Sequence, residues 1–387
     1  MSALWSTDPR DALRVTDSFD LTGFDRASTP GFAGDKAAAA TLMAERGELL
    51  SELQERLYAQ GRSGAAPRVL VVVQGLDTAG KGGIARHVMG MVDPQGVALR
   101  SFGVPTEEER AHHYLWRIEK ALPRPGQIGL FDRSHYEDVL VVRVDNLVGP
   151  EVWGERYEEI NAWEKQLVDD GTVILKFAMM VSKDEQALRL MERLDRPDKR
   201  WKYSAGDLKT RSQWDAYQEA YADVFRLTST EYAPWYVLPA DRKWYPRVAV
   251  TEILTRTMIE LGLRWPVPEW DVAEQRRLLA ADMPAPVLAA SLAETAAVVG
   301  EANAQSMEIA NEAAELLAEG RGGTAAEEAR SAAREKTAQL EADLAATLEH
   351  KRALLQDKDP ALAAETPSSP TPEKKVGKVK KSKKGKK

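Results

Sequence analysis

From Val69 to Gly83 the chain runs Val-Leu-Val-Val-Val-Gln-Gly-Leu-Asp-Thr-Ala-Gly-Lys-Gly-Gly. An apolar run of this kind reads as a strand covered on both faces, and the helix expected from Gly82 would aim backbone N–H groups at an anion. Gly75, Gly80 and Lys81 stand in the register of a phosphate-binding loop, G-x-x-x-x-G-K-[ST]. Gly75, Thr78, Ala79, Gly80 and Gly82 are the loop positions expected to meet phosphate oxygens. Gly82, however, stands where a Ser or Thr hydroxyl would bind magnesium. Asp77, a carboxylate inside the loop, could supply the oxygen that Gly82 cannot. A glycine-rich turn that only lets a helix pack on its strand is the alternative.

A second acid ends the apolar segment Ile128-Gly129-Leu130-Phe131-Asp132-Arg133-Ser134. A strand-end carboxylate beside such a loop commonly holds magnesium, and Arg133 could neutralise charge gained by a phosphoryl group in flight. A structural ion pair would look the same. The third cluster is cationic: Arg189, Arg193, Arg196, Lys199, Arg200, Lys202, Lys209 and Arg211 fall within 23 residues. Pro197 and Gly206 break that stretch, which suggests a lid over about 189–211 that excludes water and brings cations onto a transferring group. A density of arginines suits a polyanion better than one phosphate. A solvated basic face, partly neutralised by Asp195, Asp198 and Asp207, is the competing reading. Arg117 and Arg143 could extend the cationic lining, or could be ordinary helix residues. Trp214, Tyr217, Tyr221 and Phe225 lie at helical spacing and read as core. His112 and His113 read as helix surface, since phosphoryl transfer needs positioning and charge more than a base.

These residues require a frame that brings strand ends together. Residues 1–34 look irregular, and Asp35 is placed to cap a helix from Lys36 to about Ala59. From Pro67 strands and helices alternate: strands at Val69–Val73, Val97–Phe102, Ile128–Phe131, Val173–Val181 and Trp235–Leu238. Helices are expected after Lys81, over Glu107–Ala121 and Glu151–Val168, to about Phe225, and to about Leu261. Such alternation predicts an α/β fold, three layers around a mainly parallel sheet, with ligands beyond the carboxyl ends of the strands. One domain over 35–265 follows. After the Pro266–Pro286 stretch, residues 287–357 are Ala- and Glu-rich and read as two helices broken at Gly320–Gly323. Residues 358–387 read as a disordered tail, Pro-, Ser- and Lys-rich.

The 387 residues carry a formal net charge of −7, which becomes −16 once the nine lysines of the stretch 374–387 are set aside. The absence of cysteine excludes disulfides, thiolate metal sites and cysteine nucleophiles, and five histidines leave little for a histidine-built centre. Hard cations on oxygen ligands remain. No apolar run approaches the roughly 20 residues of a bilayer span and no signal peptide is evident, so no membrane partner and a cytoplasmic location are expected.

Over about residues 18–265 the chain resembles the type 2 polyphosphate kinases. The resemblance rests on Gln74-Gly75-Leu76-Asp77-Thr78-Ala79-Gly80-Lys81-Gly82, Pro105-Thr106-Glu107-Glu108, Tyr114-Leu115-Trp116-Arg117, Phe131-Asp132-Arg133-Ser134-His135-Tyr136-Glu137-Asp138 and the basic lid. The segment His135–Val144 looks like the subgroup acting on both nucleoside mono- and diphosphates. One departure is His113, where the family leads us to expect an aspartate. The resemblance implies a P-loop kinase-like fold and phosphoryl transfer between inorganic polyphosphate and purine nucleotides (AMP, ADP, GDP). It also implies Mg²⁺ with Mn²⁺ as a substitute, no covalent enzyme intermediate, and a homo-oligomer. Carried over by position, Asp77 and Asp132 would organise the metal, Lys81 would hold the transferring phosphate, and Arg133 with Arg193 would steady its charge. Arg117, Arg143, Arg196, Lys199, Arg200 and Lys209 would line the polyphosphate path. An ATP-dependent nucleoside monophosphate kinase shares the loop, the strand-end Asp-Arg and the lid. A polyphosphate- or nucleic-acid-binding scaffold would use the lysine tail, which could bind any polyanion by counterion release.

Overall fold

The computed structural model describes residues 4–64, 66–319 and 324–365, and the chain divides into two compact units at Pro266/Val267. In the first, five strands form one sheet: β1 (Arg68–Gln74), β2 (Val97–Ser101), β3 (Ile128–Asp132), β4 (Thr172–Met180) and β5 (Trp235–Pro239). Every pairing is parallel and the order is β2-β3-β1-β4-β5. β1 is central because Val69–Val73 has no polar side chain to offer water, and each of these residues is at most 1% exposed. The chain leaves β1 toward β2 and leaves β3 toward β4, on opposite sides of the β1–β3 pair. The crevice above that pair is where such sheets bind ligands. Val73 is in register with Asp132, which sets the loop after β1 beside the acid that ends β3.

Helices cover both faces. Asp35 caps the helix Lys36–Arg62 by accepting from the Ala37 and Ala38 N–H groups, and this helix packs on Tyr245–Glu260. Between them Glu252, fully buried, accepts from Arg46 at 2.9 Å and from Arg256 at 2.8 Å. Two expectations need correcting here. The supposedly irregular N-terminal segment contains the helix Pro9–Leu13, capped by Asp8. The single helix expected over Glu107–Ala121 is two short ones, Glu107–Arg110 and Trp116–Glu119. Residues 107–113 are exposed apart from half-buried Glu109, while Leu115 and Ile118 are buried. A continuous helix would have no apolar face along its first half.

In the second unit Ala285–Glu319 packs on Thr324–Lys358, preceded by Val272–Asp282 and followed by Pro360–Glu365. Ala280, Leu288, Leu292, Leu355 and Ala363 form a small core, and Lys351 donates to the Ser291 hydroxyl at 2.7 Å and the Thr295 hydroxyl at 2.6 Å. Val272–Asp282 lies inside the Pro266–Pro286 stretch, to which the sequence reading assigns no element, and it buries only Ala280, so its periodicity is faint. Lys358 ends one helix and Pro360–Glu365 forms another, so order extends past the boundary set for the tail. The break at Gly320–Gly323 and the lysines beyond Glu365 lie outside the described residues. Among the described residues one helix, Ala285–Ala318, is long and apolar enough by composition to cross a membrane, with a mean hydropathy of 1.2. Much of that hydropathy is alanine, and Glu294, Glu301 and Glu308 interrupt the segment.

Candidate active site

The loop after β1 has a backbone that constrains its residues. Gly75 has φ 153°, and a Cβ there would stand 2.7 Å from the Met179 carbonyl oxygen. Thr78 adopts φ 65°, a left-handed conformation that costs a threonine about 1–3 kcal/mol unless its surroundings impose it. The imposing group is Arg189. Its Nη1 donates to the carbonyls of Thr78 at 2.9 Å and Ala79 at 3.2 Å, and its Nη2 to those of Ala240 at 2.6 Å and Asp241 at 2.9 Å. Gln186 adds a bond from Nε2 to the Asp77 carbonyl at 3.3 Å. The inner face of the helix Lys183–Asp195 thus clamps the loop.

Within the crevice Lys81 Nζ donates to the Gly75 carbonyl at 2.6 Å. Burial holds its ammonium below the ordinary lysine value, with Arg133 adding to the effect and Asp132, Asp77 and Glu137 opposing it. Arg133 has φ 66°, and its Nη2 donates to Asp77 Oδ1 at 3.0 Å. The strand-end arginine and the loop acid therefore meet across the β1–β3 crevice. Glu137, half-buried, is the residue that sequence reasoning left without a role. Its carboxyl is pushed up by burial, against the pull of Arg133 and Lys81. With the Gln74 amide oriented to satisfy its neighbours, Nε2 donates to Glu137 Oε1 at 2.9 Å and the amide oxygen accepts from the Ser134 N–H at 3.2 Å. The only signal in the sequence was its place in Asp132-Arg133-Ser134-His135-Tyr136-Glu137.

A buried polar network supports the turn that carries Arg133. Glu164 accepts from Tyr136 Oη at 2.8 Å and from Lys176 Nζ at 2.6 Å, and it lies 3.1 Å from His135 Nε2. Lys176 also donates to the Thr228 carbonyl at 2.7 Å. Burial alone would raise the Glu164 carboxyl, yet Lys176 and His135 hold it below its ordinary value. Trp214, Tyr217, Tyr221 and Phe225 are all buried, as their spacing implied. His112 and His113 are both exposed.

Within the stretch read as a lid, Arg193 donates to the Lys202 carbonyl at 2.9 Å and to Asp207 Oδ2 at 3.2 Å. Burial, then the charge of Asp77, raises the Asp207 carboxyl, against the pull of Arg193 and Arg133. Other candidates are drawn elsewhere. Arg117 is buried, donating to the Gly103 carbonyl at 3.0 Å beside Glu109 and Asp138. Arg143 is paired with Asp223 at 2.7 Å and lies 4.7 Å over the Trp153 ring. Both position motif helices and do not present a free guanidinium. Arg196 pairs with Asp198 at 2.7 Å, Lys199 with Glu192, and Lys209 with Asp145 at 2.9 Å, while Arg200 donates to the Leu194 carbonyl at 2.8 Å. A separate cavity of about 650 Å³, lined by Phe19, Arg26, Gln218 and Asp223 among others, includes none of the loop residues.

The donors suit a divalent cation. Asp77, Asp132 and Glu137 all act electrostatically on Lys81, and the Thr78 hydroxyl is buried without a partner. Among the described residues no three His, Cys, Asp or Glu side chains form a closed metal cluster. Few protein oxygens, completed by water and substrate phosphates, are what a small hard cation accepts.

Comparison with known proteins follows the same lines. The family described as polyphosphate kinase 2 matches residues 34–261. An AMP/ADP-polyphosphate phosphotransferase of Meiothermus ruber is 52% identical over 251 residues, which is 65% of this chain and 92% of that protein. An ADP-polyphosphate phosphotransferase of Rhodopseudomonas palustris is 41% identical over 244 residues, covering 60% of this chain and 82% of the relative. The crystal structure of polyphosphate kinase 2 from Arthrobacter aurescens TC1 superposes with a TM-score of 0.70 at 48% identity, over 72% of this chain and 98% of that one.

Proposed function

Because this chain belongs to the polyphosphate kinase 2 family, we propose how its own residues carry out phosphoryl transfer between inorganic polyphosphate and nucleotides. The enzyme is a phosphotransferase whose relatives are named for AMP and ADP as partners of polyphosphate. We read both AMP and ADP as acceptors, with GDP as a further one, Mg²⁺ as the cation and Mn²⁺ as its substitute. The observation that carries this reading is the Arg133–Asp77 contact across the crevice, with Lys81 beside it.

Catalysis of phosphoryl transfer is mostly positioning and charge. Lys81 exchanges its bond to the Gly75 carbonyl for an oxygen of the transferring phosphate. Arg133, released from Asp77, meets the charge that gathers on the equatorial oxygens. Arg193 leaves Asp207 to reach the same group from the lid side, which excludes water. Asp77 and Asp132 would hold the cation, and a bound divalent ion there would neutralise charge on the bridging phosphate oxygens. Transfer is direct and in line, from the terminal phosphate of the chain to the acceptor's phosphate oxygen. The protein is read as a cytoplasmic homo-oligomer whose lysine-rich end binds polyanions.

The test is to incubate the purified full chain with Mg²⁺, long-chain polyphosphate and, in turn, AMP, ADP, GMP and GDP. ADP should be converted to ATP, and AMP to ADP. If products form only with ATP as donor, the protein is a nucleoside monophosphate kinase. If none form while polyphosphate still binds, the scaffold reading replaces the enzyme.

A further inference from the structure

Two cations on one flank of the phosphate loop, Arg86 and Arg247, have no counter-charge. Between them burial, then Arg247 and Arg86, hold the His87 imidazole below its ordinary value, so that it stands there as a neutral hydrogen-bonding group. The helix Lys81–His87 starts at Lys81, and its next residues, Gly82 and Gly83, have no side chains. Open space lies over Gly82, and at Gly83 the Arg247 guanidinium occupies the flank, with Nε and Nη2 each 3.4 Å from the position a Cβ would take. Arg86 and His87, three and four residues after Gly83, share its face of the helix and are exposed. Among the described residues no carboxylate lies within ion-pair distance of Arg86, His87 or Arg247.

The contrast with the lid is informative. There Arg193, Arg196, Lys199 and Lys209 each have an acid. Glu192, an acid of the lid helix, is shared by Arg196, Lys199 and Lys243. Arg189, the other charge facing Arg247, is itself cationic. Burial, then Arg189 and Arg86, hold the Arg247 guanidinium below its ordinary value. Uncompensated guanidinium groups at a half-buried flank favour an anion that spans several positions at once.

We propose that Arg86, His87 and Arg247 form a second phosphate subsite. It binds phosphates of the polyphosphate chain remote from the one being transferred, and so makes long chains bind more tightly than short ones. This rests on the phosphoryl-transfer reading above. The side-chain-free surface of Gly82 and Gly83 connects the subsite to Lys81, so one chain runs from the crevice along the helix flank. A short donor such as tripolyphosphate is used up at the loop and leaves the subsite empty. A long one covers it.

The test measures equilibrium binding of long-chain polyphosphate and of tripolyphosphate to the full chain, by titration calorimetry without nucleotide. For Arg86→Gln/Arg247→Gln, the advantage of the long chain over tripolyphosphate should shrink by roughly tenfold, as expected for losing two charge-assisted contacts. The slope of log Kd against log salt for the long chain should fall by about one to two. Arg247→Lys should recover part of the advantage, and thermal melting shows whether each variant is folded. The proposal is overturned if both donors weaken by the same factor, or if neither changes. A wild type that binds both donors but transfers no phosphate would refute the phosphoryl-transfer reading instead. The binding ratio would then decide the subsite by itself.

Discussion

Replacing Arg189 tests whether the lid helix holds the phosphate loop in its working shape. In Arg189→Met the four carbonyls it serves, those of Thr78, Ala79, Ala240 and Asp241, lose their cationic donor. Arg189 is 4% exposed, so these groups do not simply return to bulk water. A buried acceptor left dry costs about 1–3 kcal/mol, and water entering the vacated volume recovers part of that for some of the four. The expected loss is about 3 kcal/mol, read from urea denaturation of the full chain. The functional loss should be larger than stability alone implies. Thr78 sits at φ 65° only because its carbonyl is held, and once released the loop relaxes away from the strained conformer. A displacement near 1 Å at such a site costs about a hundredfold in rate. The kcat/KM for ADP with polyphosphate should therefore drop by about two orders of magnitude at a temperature where the variant is fully folded. Arg189→Lys, one compact charge in place of a fork, should lie between. If Arg189→Met unfolds within 1 kcal/mol of wild type, or is destabilised but retains kcat/KM within threefold, the clamp is not what shapes the loop.

Three further outcomes follow from the same geometry. Lys176→Met leaves Glu164 charged and buried, each residue being fully buried in the native protein, and should cost about 3–5 kcal/mol in denaturant titrations, whereas Glu164→Leu/Lys176→Met should cost less than the single change. Burial holds the His135 imidazole below its ordinary value of 6.5, partly opposed by Glu164. Its neutral form is thus the folded form, and the stability it contributes is present above pH 6.5 and lost as pH falls below it, by up to about 1.4 kcal/mol per unit. Melting temperatures from pH 7.5 to 5.5 should show this slope, and His135→Gln should flatten it. Gly75→Ala, with its new Cβ 2.7 Å from the Met179 oxygen at φ 153°, should lose about 1–3 kcal/mol. An unchanged melting point would mean that β4 yields freely there.

The parts legible in the sequence were those set by local chemistry. Strands were recognisable because residues such as Val69–Val73 offer no polar face, and the loop because only glycine suits Gly75 and Gly80. Asp132 was identifiable by ending an apolar run. What stayed hidden depends on partners remote in sequence. Arg117 and Arg143 look like free cations in a string of letters, and become supports only once Asp138 and Asp223 are folded against them. Arg189 read as one more basic lid residue, yet its 111-residue reach to Thr78 makes it part of the loop. Glu137 is one carboxylate among 60 acidic residues until Gln74 and Lys81 surround it.

The lid's cations are therefore a reserve held by internal acids. Arg196, Lys199 and Lys209 are partnered at the surface, where an ion pair contributes only about 0–1 kcal/mol and is cheap to exchange. A polyphosphate chain can displace Asp198, Glu192 and Asp145 at little cost. The pair deeper in the site differs. Asp207 is buried and its carboxyl is raised by burial and by Asp77, so removing Arg193 from it leaves an acid that tolerates charge poorly. Exchange there favours a proton or a cation arriving with the phosphate, which in the proposed mechanism would link lid closure to the fully charged substrate complex. Arg133 and Asp77 stand in the same relation on the opposite wall. In the transfer proposed above, Asp77 would be freed toward the cation when Arg133 turns to phosphate. On that proposal the turn of Arg133 that assembles the phosphate clamp would also release an Asp77 oxygen for the metal, so that neither half would be complete without the other.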